Sequence, residues 1–252
     1  MINVKTKSEV ELMRRAGDLV AQTLDLVQET ARPGVTTREL DRIAEEFIRS
    51  HGAEPAFKGY LGYPATLCVS IDDEVVHGIP SDRQLKDGQI VSVDVGVQID
   101  GWFGDAARTL RIGNVRQEAD RLLNITQEAL ARAIEQAQAG NRLGDISAAV
   151  QTFAEKNGYS VVRDLVGHGI GRQMHEEPQV PNFGAPHTGV LLKPGMVLAI
   201  EPMINIGGAA IKFDDDKWTV RTADGSLSAH FEHTVAITEN GPDVLTLNVQ
   251  KG

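Results

Sequence analysis

The chain has 252 residues, 41% of them hydrophobic and 24% charged, which is enough for a substantial core without covalent staples. A formal charge of −10 argues against a general nucleic-acid surface, and no stretch approaches the ~20 consecutive apolar residues that a membrane span requires. The single cysteine, Cys68, excludes an internal disulfide and suits a reducing, cytoplasmic setting; residues 1–15 are polar and lack the apolar core of a signal peptide.

In chain order, the first periodic segment predicts a long helix over about 8–29, opened by a Ser8-x-x-Glu11 capping box. A glycine turn at Gly34 leads to a second helix over about 37–51. After the His77-Gly78-Ile79 segment, residues 90–98 read as a strand built around Ile90, Val91, Val93 and Val95. Asp100-Gly101 is a strong two-residue hairpin signal. If the turn holds, residue 99 pairs with 102 and Asp94 lies opposite Ala107. Asp105 is then diagonal to Asp94 on the same face, where both carboxylates can share a cation. A slip of one residue would send them to opposite faces. Asp94 sits in an apolar run, where an unpaired carboxylate is costly.

The second half repeats this plan. Helices are expected over about 117–139 and 145–157, and Ala137-Gln138-Ala139-Gly140 echoes Ala31-Arg32-Pro33-Gly34. Leu192-Lys193-Pro194-Gly195 echoes Leu85-Lys86-Asp87-Gly88, and His168-Gly169-Ile170 echoes His77-Gly78-Ile79, all in the same order. The reading is one catalytic domain of two related halves, about 1–112 and 113–252. Each is a helix-helix-sheet unit, giving an α/β (α+β) fold with a curved sheet and helices outside. Glu201 takes the place of Asp94 in the repeat, and Glu232, on a strand over 229–237, that of Asp105. The triplet Asp214-Asp215-Asp216 reads as a solvated turn.

Four carboxylates with His168, which stands among glycines, form a ligand set suited to two divalent transition ions such as Co, Mn, Fe or Zn. The repeat alone would also nominate His77. Of the seven histidines, His51, His187, His230 and His233 carry no repeat signal and read as surface or packing residues.

Several segments together resemble the methionine aminopeptidase family. They are Glu74-Val75-Val76-His77-Gly78-Ile79-Pro80, Ser92-Val93-Asp94-Val95, Gly104-Asp105, Gly167-His168-Gly169-Ile170-Gly171, His175-Glu176-Glu177-Pro178, Ile200-Glu201-Pro202-Met203 and Phe231-Glu232-His233-Thr234. The resemblance covers essentially the whole chain. It implies the mainly antiparallel pita-bread fold, with a pseudo-twofold axis, and removal of initiator methionine from nascent polypeptides with a small second residue. It implies that Asp94 chelates one metal, that Asp105 and Glu232 bridge two, and that His168 and Glu201 complete the second. His77 and His175 would then line the site without ligating, and Glu201 would shuttle a proton. Tyr60, Tyr63, Cys68 and Trp218 would form the methionine pocket, with Phe57 and Met174 departing from some members. The short stretch between Glu201 and Glu232, and the absence of a zinc-binding extension before Ser8, point to the type I form. The family's habit is monomeric, and ribosome association is compatible with the role. The rivals are a same-fold Xaa-Pro peptidase (aminopeptidase P or prolidase) and a non-catalytic peptide-binding module.

Overall fold

The computed structural model describes residues 2–247. Helix α1 spans Lys7–Thr30 and α2 spans Thr37–Ser50. The capping box of α1 uses Thr6 and Glu9, not Ser8 and Glu11: the Glu9 amide donates to Thr6 Oγ1, and the Thr6 amide donates to Glu9 Oε2 at 2.8 Å. The reason lies one residue upstream. The Lys5 amide donates to the Gly195 carbonyl at 2.7 Å, so the chain is pinned in extended form up to Thr6 and turns helical immediately after it. Both spacings satisfy the capping pattern; a tertiary contact chooses between them.

Helices α3, Gln117–Gln136, and α4, Leu143–Lys156, repeat the pair. Helix α4 starts two residues before the expected Asp145, because Asp145 is its third residue rather than its cap. Its carboxylate accepts from the Arg142 amide and from the His187 amide, each at 2.7 Å.

The Ile90–Ile99 and Trp102–Arg111 strands form the long hairpin, in the register expected from Asp100-Gly101. Ile99 pairs with Trp102, and Asp94 with Ala107. Asp100 and Gly101 adopt φ of 52° and 75°, the left-handed pair that a tight two-residue turn requires. Leu67–Ile71 and Glu54–Pro55 pair antiparallel along the other edge of Ile90–Ile99. In the second half, a five-stranded sheet runs in the order Gly241–Val244, His233–Thr238, Val197–Ile200, Gly167–Gly169, Glu176–Val180. One expectation fails here. Residues 229–237 are not one strand but two, Ser228–His230 and His233–Thr238, with Phe231 and Glu232 at the break. The first piece pairs with Met203–Asn205 and the second with Val197–Ile200, so the chain changes sheets at Glu232.

The helices of each half bury their apolar faces against their own strands. Leu24, Val27, Leu40 and Ile48 join Leu67, Val69, Val93 and Val95 in one core. Leu122, Leu130, Ile146 and Val150 join Leu198, Ile204 and Val235 in the other. Between the cores, the two halves are stitched along residues 105–109 and 230–234. Thr234 Oγ1 donates to the Asp105 carbonyl and accepts from its amide, and the Glu232 amide donates to the Ala107 carbonyl. Thr109 Oγ1 donates to the His230 carbonyl and accepts from its amide. These bonds lock Asp105 and Glu232 side by side, and the functional cluster hangs from this seam.

Among the described residues, no helix is long and apolar enough to cross a membrane.

Candidate metal centre

A cavity of ≈ 170 Å³ opens over the seam. Asp94, Asp105, His168, Glu201 and Glu232 line one side with His77 and His175. Phe57, Tyr60, Tyr63, Cys68 and Trp218 line the other. The five expected metal ligands, the two flanking histidines and the four expected pocket residues therefore border one space, with Phe57 but not Met174.

Asp105, His168 and Glu232 offer ligand atoms that all lie within 4.8 Å of one another, and all three side chains are buried. His168 Nε2 is 3.7 Å from Asp105 Oδ2 and 3.7 Å from Glu201 Oε1. Its Nδ1 lies 2.9 Å from the Gly169 carbonyl, which can only accept. The proton therefore sits on Nδ1, and Nε2 presents a lone pair to the carboxylates, the form a ligating imidazole needs. Three carboxylate oxygens in this cluster, Asp94 Oδ1, Asp105 Oδ1 and Glu232 Oε1, are buried without a hydrogen-bond partner. Buried carboxylates are stable only if paired or bound to a cation. No lysine or arginine makes an ion pair with these four acids among the described residues, so the donor set fits divalent cations.

The electrostatics agree. Burial pushes the Asp94 carboxyl up to about 7, against the hydrogen bonds with the Asp105 side chain and the Val95 backbone, which lower it. Burial first, and the neighbouring acids second, hold Asp105, Glu201 and Glu232 well above the usual carboxylate range. A group raised in the folded state stabilises the fold while protonated, and that contribution is lost as pH rises through its folded pKa. Cations bind only the deprotonated forms, so they compensate most where the loss is largest. The melting temperature with Mn²⁺ minus that with chelator is accordingly expected to widen from about pH 5.5 to about pH 8. A thermal-shift series in which this gap stays constant would remove the carboxylates from the cation site.

The histidines differ in kind. His77 stands at φ 60°, a left-handed conformation unusual for a residue with a side chain, which holds it at the cavity rim. Burial, and then the nearby His175, lower its pKa to about 4, so it is neutral at physiological pH. His175 Nδ1 lies 2.9 Å from Tyr60 Oη, and its ring packs edge-on against His168 with centroids 4.3 Å apart. The turn carrying His175 is anchored by its neighbour. Glu176 Oε1 accepts from the Arg172 and Gln173 amides, while Oε2 meets Lys5 Nζ at 2.7 Å in a buried ion pair.

On the apolar wall, Tyr63 donates from its hydroxyl to the Leu67 and Gly78 carbonyls and packs edge-on against Trp218. Cys68 is buried, and burial beside Asp94 pushes its thiol well above the ordinary range; it is a wall, not a nucleophile. Phe57 and Met174 meet over Gly96, where a Cβ would stand 2.7 Å from Phe57 and 3.0 Å from Met174. The two departures noted in the sequence thus both rest on the space left by a bare glycine.

The acidic triplet is the turn expected, with Asp215 and Asp216 exposed, and it has partners of its own: Asp214 pairs with Arg221 at 2.6 Å, and Asp216 accepts from the Trp218 and Thr219 amides, beside Trp218 in the cavity wall. One reading needs correction. His230 is far from a neutral packing choice. It is buried with neither ring nitrogen hydrogen-bonded, and its Nε2 is 3.7 Å from Glu201 Oε2. Sequence reasoning set it aside for want of a repeat partner; its position two residues before Glu232 was the available signal. His51 and His187 are exposed, and His233 bonds Thr246 Oγ1.

A family model for metallopeptidase family M24 matches residues 11–239. A methionine aminopeptidase of Clostridium perfringens is 57% identical over 98% of this chain and 99% of its own length. Methionine aminopeptidase 1 of Bacillus subtilis is 50% identical over 98% and 99%. Among solved structures, methionine aminopeptidase from Rickettsia prowazekii superposes with a TM-score of 0.97 at 46% identity, covering 98% of this chain and all of that one. The prolidase from Pyrococcus furiosus reaches a TM-score of 0.78 at 26% identity and is matched over only 65% of its length.

Proposed function

The chain belongs to metallopeptidase family M24 and within it to the methionine aminopeptidases, and from that premise we propose how its site works on a substrate. It is a metallo-aminopeptidase with the pita-bread fold. Its substrates are nascent polypeptides whose initiator methionine precedes a small residue. The observation that carries this reading is a cluster of carboxylates with buried, unpartnered oxygens, lining the same cavity as aromatic and apolar side chains.

Asp94, Asp105, His168, Glu201 and Glu232 would hold two divalent ions, of Co, Mn, Fe or Zn type. When bound, such ions polarise a scissile carbonyl and bring the pKa of an attacking water near neutrality. The chain's own groups do the rest. Phe57, Tyr63, Cys68 and Trp218 enclose the methionine side chain, an apolar and polarizable fit for a thioether, with Tyr60 at the rim. Glu201, whose affinity for protons is raised, accepts the proton of the water on its carboxylate and returns it to the leaving amine. His175, steadied by Tyr60, faces the oxygen on which negative charge develops, and neutral His77 meets the amide of the second residue. The same reading makes the protein a single catalytic domain of two related halves, monomeric and cytoplasmic.

Peptides beginning Met-Ala, Met-Leu and Ala-Pro, offered to metal-stripped protein with each cation restored, test this. Metal-dependent cleavage of Met-Ala alone is the expected result. Cleavage of Ala-Pro instead would move the chain to the prolyl branch, and no cleavage with any cation would leave a binding module.

A further inference from the structure

Glu201 lies between two imidazoles. His168 Nε2 stands 3.7 Å from its Oε1, and His230 Nε2 stands 3.7 Å from its Oε2 and 4.0 Å from Glu232 Oε2. The two rings are not equivalent. His168 has its Nδ1 proton committed to the Gly169 carbonyl, whereas neither nitrogen of His230 has a partner. The His230 side chain is only 2% exposed, so bulk solvent does not reach it. A buried polar group left unpaired is costly, and such groups in native proteins mark a role.

The backbone around His230 cannot move to relieve this. Its amide and carbonyl are both held by Thr109 Oγ1, and it pairs in register with Met203. Only the ring is free to adjust, by the few tenths of an ångström that separate 3.7 Å from a hydrogen bond. A carboxylate is purely an acceptor, and His168, with its one ring hydrogen committed at Nδ1, has none to offer at Nε2, so the imidazole able to supply a hydrogen to Glu201 is that of His230. Glu201 also has the most exposed side chain of the cluster members that meet a histidine, at 14% against 5% for Asp105 and 2% for Glu232, and has the most freedom to wander.

We propose that His230 is a positioning residue of the metal centre: its neutral imidazole, protonated at Nε2, donates to Glu201 and fixes which carboxylate oxygen is presented to the cations. It acts through Glu201 and touches neither substrate nor ion. Outer partners of this kind typically change cation affinity by 10–100-fold. The inference rests on the metallopeptidase reading, and its test is independent of peptide cleavage.

Two measurements decide it. In protein loaded with diamagnetic Zn²⁺ and labelled with ¹⁵N-histidine, where Glu201 is a carboxylate, two-bond ¹H–¹⁵N spectra are expected to show His230 protonated at Nε2. An Nδ1-protonated ring would overturn the proposal without any variant being made. Calorimetric titration with Mn²⁺ is expected to show His230→Leu binding its weaker ion at least about tenfold less tightly, and His230→Gln, whose amide can still donate, recovering most of the loss. Equal affinity in wild type and His230→Leu would overturn the role of His230 while leaving the metallopeptidase reading intact. A wild type that binds no divalent ion would overturn both.

Discussion

Asp105→Asn is expected to lower kcat for a Met-Ala peptide by at least about 10³-fold, while raising the melting temperature of the metal-free protein. The two shifts have one cause. Asp105 sits between Asp94 and Glu232, buried, with Oδ1 unpartnered and its carboxyl held well above the usual range by burial and by both neighbours. Without cations, removing one of four crowded carboxylates relieves both desolvation and like-charge repulsion, a gain of order 1–2 kcal/mol at neutral pH. With cations bound, the same substitution would replace a charged ligand by a neutral amide. A loss of about 10³ in rate corresponds to about 4 kcal/mol of transition-state stabilisation. Thermal shift with and without chelator, beside steady-state kinetics, reads both. A metal-free variant less stable than wild type would mean that the cluster is held together by contacts other than cation binding.

The second large effect belongs to His77. His77→Ala is expected to lose about 10²-fold in kcat while binding cations as tightly as wild type. The ring is neutral at working pH because burial lowers its pKa to about 4, so it contributes a directed hydrogen bond rather than a charge. Its backbone is held at φ 60°, which few side-chain-bearing residues adopt, so alanine keeps the backbone constraint and removes only the imidazole. His77→Asn, which tolerates that conformation and retains a donor, is expected to fall between the two. Cation loss from His77→Ala on calorimetry would make it a ligand, as its echo with His168 alone would suggest.

Much of this was legible before any coordinates. The Asp100-Gly101 turn fixed the register of the hairpin and with it the relation of Asp94 to Asp105, because a two-residue turn leaves one pairing. The echo of the first acid pair pointed to Glu201 and Glu232, and all four acids line one cavity. What escaped was decided by contacts distant in sequence. The α1 cap moved to Thr6 because Gly195 holds Lys5. The strand over 229–237 broke because its two parts pair with different sheets. His230 was passed over because burial against Glu201 is set by the seam at Thr109, which no local pattern records.

The buried pair between Lys5 and Glu176 has a consequence in time. The opening residues of a domain are ordinarily its most dispensable. Here they brace the turn that carries His175, and the two partners are 171 residues apart along the chain. The carboxylates are spread in the same way, with Asp94 and Asp105 made early and Glu232 close to the end. A chain still being synthesised therefore lacks His168, Glu201 and Glu232 until its second half has been made. The seam that sets Asp105 beside Glu232 can close only after residues 230–234 are made, so the cluster is assembled late in the growth of the chain.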